Sequence, residues 1–451
     1  MKIKAFIGCI VFFVVLYLGI AFGSSFFVER RFHEKIQEAN QWLAQNTRDM
    51  RIVDMGFDRG LFSSTGQFAI EWDIRSSFMR QSLINELPAG IRGNVVRIVV
   101  DNQFHTGPWL GGTGVGMVRI NSVANFDPQT VPAEFIQGFK GQNVMTSEVS
   151  IGYAKEVSFH ASSAPFYLAE GGNLVDYRGF QAQLTSSFGF KKGNFTFNLP
   201  YFLMTSNANA DQLFIVNLSY TTQDSFHKDL ITWTFSGRHE SILERFGIVE
   251  NGSSIFELSP FRIVTEQKIA NDLYSQHSEI TFTGSYQGRP YQGNVAMDAN
   301  SINYIEWQRI MALTANGGAK GLEAVIQDDL VNFIKTAPSI SINPFQFTYN
   351  GQTLDLRSSM GFRSSSAEEL KMPIGMLLAT KAYYNLSAQI PNQFMTPQFL
   401  GSSSYQALMQ LVQGGILVRQ GGNMHAIDIS MEGGRVIING VDQSSSGGRR
   451  R

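Results

Sequence analysis

The feature that most constrains the fold is a two-residue alternation of apolar and polar side chains, which recurs over much of the chain after residue 57. In GQFAIEWDI (66–74), every second residue from Phe68 to Ile74 is apolar. Successive side chains of a β-strand point to opposite faces, so this pattern predicts strands with one apolar face. Charged residues make up only 16% of the 451 residues, and the 36 Phe and 43 Gly suit strands joined by tight turns.

Similar alternation later in the chain predicts further strands, for example over 195–199, 231–235 and 280–282. Together they predict a mainly β (α+β) fold of many antiparallel strands in curved or stacked sheets, with few helices. A candidate apolar binding face is formed by Phe68, Ile70, Trp72, Phe180, Leu184, Phe195 and Phe197. The pattern leaves two interpretations open, because such a face either closes into a core or remains an apolar trough.

Several hairpins can be placed from their turns. Asn350-Gly351 lies between FQFTY and QTLDL, and both residue types tolerate the positive φ that a two-residue hairpin turn requires. Gly433-Gly434 and the segment 191–194 are expected to join two further pairs of strands in the same way.

The amino terminus is a short basic start followed by an uncharged, largely apolar run from residue 5 to residue 28. At about 1.5 Å per residue, a helix of this length crosses a hydrocarbon core of roughly 30 Å. Residues 1–28 are therefore predicted to be a single membrane anchor. A cleaved signal peptide is the alternative, because Ala21 and Gly23 form a small-x-small pair.

The remaining chain divides by its periodicity. Apolar residues at helical spacing predict a stalk helix over 29–50, followed by a β-rich domain over 51–300. Residues 301–441 combine helical segments, predicted over 301–313, 321–335 and 403–412, with carboxy-terminal hairpins, and residues 442–451 are expected to be a disordered tail.

No motif with established chemistry emerges from the residues. Ser63 and Ser64 lack the Gly-x-Ser-x-Gly pattern of an exposed nucleophile, and Arg59-Gly60 is interpreted as a turn before the strand. The seven histidines are scattered, and the one cysteine lies in the anchor, so neither a metal site nor a cofactor is expected. A net charge of −1 gives no reason to expect nucleic acid as a partner.

Four short motifs resemble the YdgA-like family of bacterial membrane-anchored periplasmic proteins of unknown function. They are Arg59-Gly60-Leu61-Phe62-Ser63-Ser64 before a strand, His105-Thr106-Gly107-Pro108, Arg178-Gly179-Phe180, and Ile438-Asn439-Gly440 after the final hairpin. The resemblance covers essentially the whole chain. It implies an inner-membrane protein with one membrane pass and its bulk in the periplasm, and it brings no catalytic residues. The motif positions taken as structural are Arg59, Gly60, Phe62, His105, Gly107, Pro108, Gly179, Asn439 and Gly440.

The functional expectation is a non-enzymatic envelope protein that binds other envelope components or an apolar ligand such as lipid. One alternative is a hydrolase acting on envelope material, which requires a histidine such as His105 to meet a serine or a carboxylate in space. The other is a self-assembling scaffold subunit that uses unpaired strand edges.

Overall fold

The computed structural model describes residues 28–44, 49–60, 62–73, 95–107, 116–153, 156–187, 192–206, 210–228, 233–303, 305–306 and 328–443. Within these ranges no helix is both long and apolar enough to cross a membrane. The predicted anchor up to residue 27 and the predicted tail from residue 444 lie outside them.

The chain is mainly β, with antiparallel pairing throughout the described ladders, and it divides into two compact units, residues 1–221 and 222–451. The strands of the first unit are β1 (Met50–Asp58), β2 (Ser63–Asp73), β3 (Val95–Thr106), β4 (Val118–Phe126), β5 (Met145–Ile151), β6 (Glu156–Ser163), β7 (Phe166–Glu170), β8 (Asn173–Tyr177), β9 (Gln181–Ser187) and β10 (Lys192–Ser206). Strand β11 (Asp211–Lys228) crosses the division.

The strands of the second unit are β12 (Trp233–Glu250), β13 (Ser253–Ala270), β14 (Leu273–Tyr286), β15 (Arg289–Asn303), β16 (Ser339–Tyr349), β17 (Gln352–Phe362), β18 (Ala382–Pro391), β19 (Val418–Gln420), β20 (Met424–Glu432), β21 (Arg435–Ile438) and β22 (Val441–Asp442). Across both units, the described residues include the helices α1 (28–44), α2 (Ala133–Gln137), α3 (Asp328–Lys335), α4 (Ile374–Lys381), α5 (Pro397–Leu400) and α6 (Ser402–Gln413), with 3₁₀ turns at Glu369–Lys371 and Asn392–Phe394.

In the first unit, β1 to β6 pair in sequence, and β9 then pairs with both β6 and β10. The hairpin of β7 and β8 continues this arrangement, because β8 pairs with the later part of β10. Strands β8 and β9 therefore run as one bent ladder along β10, and Arg178-Gly179-Phe180 is the bend.

In the second unit, each strand from β12 to β17 pairs with the next strand in the sequence, and β18 then pairs with β20. The other edge of β20 pairs with β19 and β21. The predicted hairpins at Asn350-Gly351 and Gly433-Gly434 are confirmed, with Tyr349 opposite Gln352 and Glu432 opposite Arg435.

Three element boundaries differ from the sequence prediction. The disordered tail was predicted from residue 442, but Asp442 ends β22, where it pairs with Ile437 of β21. The predicted stalk helix extends to residue 50, but Met50 begins β1, where the β-branched Ile52 and Val53 favour a strand. The helix predicted from residue 301 is wrong at its start, because residues 301–303 complete β15. Ile302 is buried there opposite Tyr274, so sheet pairing overrides the helical spacing of the apolar residues.

Helix α1 packs on β1 to β3 through Phe32, whose ring contacts those of Phe57, Phe68 and Phe104. Asn40 of this helix also forms hydrogen bonds with both backbone groups of Ile52 at the outer edge of β1. Its Nδ2 donates to the Ile52 carbonyl at 2.7 Å, and its Oδ1 accepts from the Ile52 N–H at 2.7 Å. The side-chain amide thus takes the place of one residue of a neighbouring strand. It leaves fewer unpaired backbone groups at this edge, where another chain could otherwise add a strand.

We expect Asn40→Ala to destabilise the β1 edge by about 1–3 kcal/mol, because two partly buried backbone groups lose their partner. The measurement is hydrogen exchange of the Ile52 amide together with urea unfolding. Gln41→Ala, at an exposed position of the same helix, is the matched control and should leave both unchanged. Unaltered exchange at Ile52 in Asn40→Ala would show that the amide does not protect this edge.

Candidate functional site

A groove of about 1040 Å³ lies on one face of the second unit, and we call it the aromatic groove. Its floor crosses β13, β14, β15 and β16, and the segment 393–399 forms one wall. At about 4.8 Å between neighbouring strands, the floor is roughly 14 Å wide. The lining residues are Phe256, Leu258, Phe261, Phe282, Tyr286, Gln287, Arg289, Tyr291, Phe347, Tyr349, Gln393, Thr396, Gln398 and Phe399.

Two reciprocal pairs of an aromatic residue and a glycine make the floor of the groove. Phe282 of β14 lies opposite Gly293 of β15, and Tyr291 of β15 lies opposite Gly284 of β14. A Cβ at Gly293 would overlap the Phe282 ring, and one at Gly284 would overlap the Tyr291 phenol group. Each ring therefore lies across the neighbouring strand, in space that a side chain on the glycine would fill, which keeps the floor low and flat.

Aromatic contacts continue from the floor to the wall. Phe347 lies 6.2 Å from both Phe282 and Tyr291, measured between ring centroids, and 5.7 Å from Phe394. Phe394 is buried, whereas its neighbour Phe399, with the two centroids 4.9 Å apart, remains 43% exposed. The wall thus has the buried Phe394 at its base and the partly exposed Phe399 at its rim.

Helix α6 covers another part of the same sheet, where Leu408 and Val412 pack against Ala388 and Ile427. In the register of the sheet, Ala388 lies opposite Leu356, which in turn lies opposite Phe345 of β16. The apolar face therefore continues from a closed core under α6 to the groove, where many of the same kinds of side chain are only partly buried.

The groove is polar at one end. Tyr286, Gln287 and Arg289 flank the β14–β15 turn, and Tyr349 precedes the β16–β17 turn, whose Asn350 N–H donates to the Pro290 carbonyl at 3.1 Å. Arg289 is the single charged residue among the described lining residues.

Tyr291 is held within the floor by its hydroxyl group, which donates to the Glu257 carbonyl at 2.8 Å. Burial, with the nearby Glu257 charge adding to it, raises the pKa of Tyr291 to about 12. The phenol is therefore neutral at physiological pH and serves as a structural donor.

The residues of the candidate apolar face that the sequence predicted lie in the first unit, and none of them lines the aromatic groove. Phe68 contacts Phe32 of α1, and Trp72 packs with Val96 and Val131 and donates from Nε1 to Asp49 at 3.2 Å. The remaining positions are partly buried. Ile70 lies opposite Ile98, Leu184 lies opposite Phe195, and Phe180 and Phe197 have ring centroids 5.7 Å apart.

The motif positions near the opening strand lie in turns and sheet. Arg59 forms an ion pair with Glu29 of α1 at 3.2 Å. The Ser64 hydroxyl is 1% exposed and accepts from the Gly60 N–H at 3.2 Å, so it lies under the turn as a structural group. The carbonyl of Phe62, whose side chain is exposed, accepts from the Thr106 N–H at 3.0 Å.

The motif positions His105, Gly107 and Pro108 lie at the end of β3 and directly after it. Gly107 has a φ of +117°, and Pro108 lies outside the described residues. His105 pairs through its backbone with Ser63 and Arg119, and within the described chain its side chain forms no hydrogen bond or ion pair.

Asn439 and Gly440, with φ values of +50° and +80°, form the β21–β22 turn. The side chain of Asn439 ties this turn to its neighbours. It donates to the Ile416 carbonyl at 2.8 Å and accepts from the Asp428 N–H at 2.9 Å.

Two polar depressions accompany the aromatic groove. In the first unit, amide and hydroxyl side chains with Glu148 and His160 line one of about 470 Å³. In the second unit, His277 and Asp298 help to line the other, of about 460 Å³. The carboxylates of Asp298 and Glu279 accept hydrogen bonds from the His277 ring at 2.7 Å and 3.3 Å, and these two bonds, Asp298 first, raise the pKa of His277. In the described part of the chain, no group of three or more His, Cys, Asp or Glu side chains is arranged to hold a metal ion.

Most of the groove is not evident from the sequence, and the prediction from sequence covers only part of it. That prediction identified Phe282 and FQFTY as parts of strands, but not that β13 to β16 bring Phe256, Phe261 and Phe347 onto one face. The available signal was Gly284 and Gly293 at every-second-residue spacing from Phe282 and Tyr291. A glycine on an apolar strand face marks the close approach of another group.

Comparison with known proteins places the chain in a family without a known function. The model of the family described as "Bacterial protein of unknown function (DUF945)" matches residues 1–444. No curated protein and no solved structure matches the chain. The chain therefore belongs to this bacterial family, whose description gives no location, ligand or activity.

Proposed function

We propose that this protein is a non-enzymatic, inner-membrane-anchored periplasmic protein that binds the acyl part of a lipid in the aromatic groove. The observation that carries the proposal is the groove itself, an apolar depression lined by eight aromatic side chains, beside a part of the same sheet face that α6 covers. Its volume of about 1040 Å³ is close to the upper limit of the roughly 300–1,000 Å³ typical of ligand sites and slightly exceeds it.

The groove has the physical properties that an acyl chain requires. Each methylene group moved from water into such a site contributes about 0.8 kcal/mol, so a chain of ordinary length has ample driving force. Flat rings over Gly284 and Gly293 give a smooth floor without directional polar groups, because the Tyr291 hydroxyl already has its acceptor. Tyr286 and Phe399, both more than two fifths exposed, would be covered by the bound chain.

The amino-terminal segment supports the location. The uncharged run up to residue 28 has the length of a membrane helix, and α1, which is described from residue 28 onward, packs on β1 to β3. A protein held in this way works next to the lipid that it binds.

Site-specific photocrosslinking in the full chain tests the proposal. Phe399→p-benzoylphenylalanine puts a photoreactive group on the exposed rim, and irradiation of intact bacteria precedes any detergent. We expect mass spectrometry of the Phe399 peptide to show covalent lipid adducts. Thr281→p-benzoylphenylalanine is the matched control, since Thr281 is exposed beside Phe282 on the opposite face of β14.

The comparison between the two positions decides the outcome. Lipid adducts at position 399 with none at position 281 support acyl-chain binding in the groove. A lipid-free peptide at position 399, or equal adducts at both positions, would refute it.

A further inference from the structure

We infer that the ligand of the aromatic groove is an anionic phospholipid whose phosphate group is bound by Arg289. This inference rests on the proposed function and adds the chemical class of the ligand. The groove has an apolar floor and a single cation at one end, so it is complementary to a molecule with the same division between an apolar chain and an anionic head.

Arg289 is available for a ligand, unlike the neighbouring arginines. Arg245 of β12 pairs with Glu257 at 2.8 Å, and Arg262 of β13 pairs with Glu240 at 2.6 Å. Within the described chain, Arg289 forms no ion pair, its side chain is exposed, and the groove lining contains no carboxylate. An anion is therefore the partner that the guanidinium group lacks.

The position of Arg289 fixes the orientation of the ligand. Arg289 lies opposite Tyr286 at the β14–β15 turn, whereas Phe261 and Phe282 lie opposite each other farther along the same ladders. From Arg289 to Gly293, over which the Phe282 ring lies, the strand advances roughly 13 Å. A head group at Arg289 thus directs its chains over the aromatic floor.

The polar groups around Arg289 favour a phosphate diester over a carboxylate. A carboxylate has two oxygens, which one guanidinium fork satisfies. The amide side chains of Gln287 and Gln398 and the hydroxyl of Thr396 add further donors to the lining, whereas the Gln393 amide already donates to the Tyr349 carbonyl at 2.7 Å. Phosphate and ester carbonyl oxygens of a phospholipid supply acceptors for these groups, and a free fatty acid does not.

The test compares lipids in the full chain carrying the Phe399 photocrosslinker. The protein is reconstituted in phosphatidylcholine vesicles that contain equal amounts of phosphatidylglycerol, diacylglycerol with the same acyl chains, and palmitate. We expect phosphatidylglycerol adducts to exceed diacylglycerol adducts about tenfold, the effect of one charge-assisted contact. In Arg289→Gln this preference should disappear while diacylglycerol adducts persist, and Arg289→Lys should retain part of it.

Arg435→Gln is the control for a general loss of surface charge, since Arg435 pairs with Asp442 and does not line the groove. An unchanged phosphatidylglycerol preference in Arg289→Gln would overturn this inference and leave acyl-chain binding intact. Palmitate as the main adduct would also overturn it, in favour of a fatty acid. Absence of every lipid adduct would instead refute the proposed function.

Discussion

Replacing Arg97 with alanine is expected to lower the free energy of unfolding of the first unit by about 3 kcal/mol. Arg97 of β3 donates from Nε to the Glu71 carboxylate at 3.0 Å, and Arg51 of β1 donates to the other oxygen at 2.6 Å. The Glu71 side chain is 6% exposed, against 35% for Arg97 and 73% for Arg51. Without Arg97, the buried carboxylate keeps only the more solvated of its two partners.

If this explanation is right, the effects of Arg97→Ala and Glu71→Gln on the free energy of unfolding are not additive. Glu71→Gln added to Arg97→Ala removes the buried charge, so the double variant should be more stable than Arg97→Ala alone. The measurement is urea unfolding followed by hydrogen exchange of peptides from β2 and β3. Glu38→Ala, which breaks the exposed pair with Lys35 in α1, should cost less than about 1 kcal/mol. A double variant no more stable than Arg97→Ala would contradict the buried-charge explanation.

The same network makes the first unit sensitive to acid. The hydrogen bond from Arg97, followed by that from Arg51, lowers the pKa of Glu71 below its ordinary value of 4.5, although burial acts in the opposite direction. A carboxyl group with a lowered folded-state pKa contributes its full stability above the unfolded-state pKa. That contribution is lost as the pH falls through the folded-state value. The stability difference between the wild type and Arg97→Ala should therefore shrink below about pH 4.5.

Replacing Gly179 with alanine is expected to cost roughly 3 kcal/mol, for two separate reasons. Gly179 has a φ of +78°, which alanine adopts only with strain. A Cβ there would also overlap the backbone oxygen of Ser163, which lies across the bend between β8 and β9. Because the obstacle is backbone, it can move only if the bent ladder itself shifts.

A substitution at Gly171 distinguishes the backbone strain from the overlap with Ser163. Gly171 lies in the β7–β8 turn with a φ of +58°, and a Cβ there would have no neighbour within 4 Å. Gly171→Ala should therefore cost only about 1 kcal/mol, the strain of the left-handed conformation. Urea unfolding of both variants measures the difference. Equal losses of stability would mean that the close approach to Ser163 contributes nothing at the bend.

The sequence determined the class of fold and many of its local features. Alternation in GQFAIEWDI and FQFTY indicated the strands β2 and β16, and Asn350-Gly351 and Gly433-Gly434 indicated the β16–β17 and β20–β21 hairpins, because these signals lie within a few neighbouring residues. Gly179 was expected to be a structural position because it lies in one of the motifs that carry the family resemblance. The membrane anchor and the periplasmic location remain predictions from residues 1–28 and from the family resemblance.

Only the tertiary structure decided which apolar faces are covered and which form a groove. Phe68 and Phe282 lie in similar alternating segments, yet Phe68 lies against Phe32 of α1, whereas Phe282 lines the open aromatic groove. A strand's own sequence defines its apolar face but not what packs on it, since the cover comes from residues distant in the chain. The long-range register that puts Gly293 under Phe282, and the placement of α6 beside the groove rather than over it, therefore decided the candidate site.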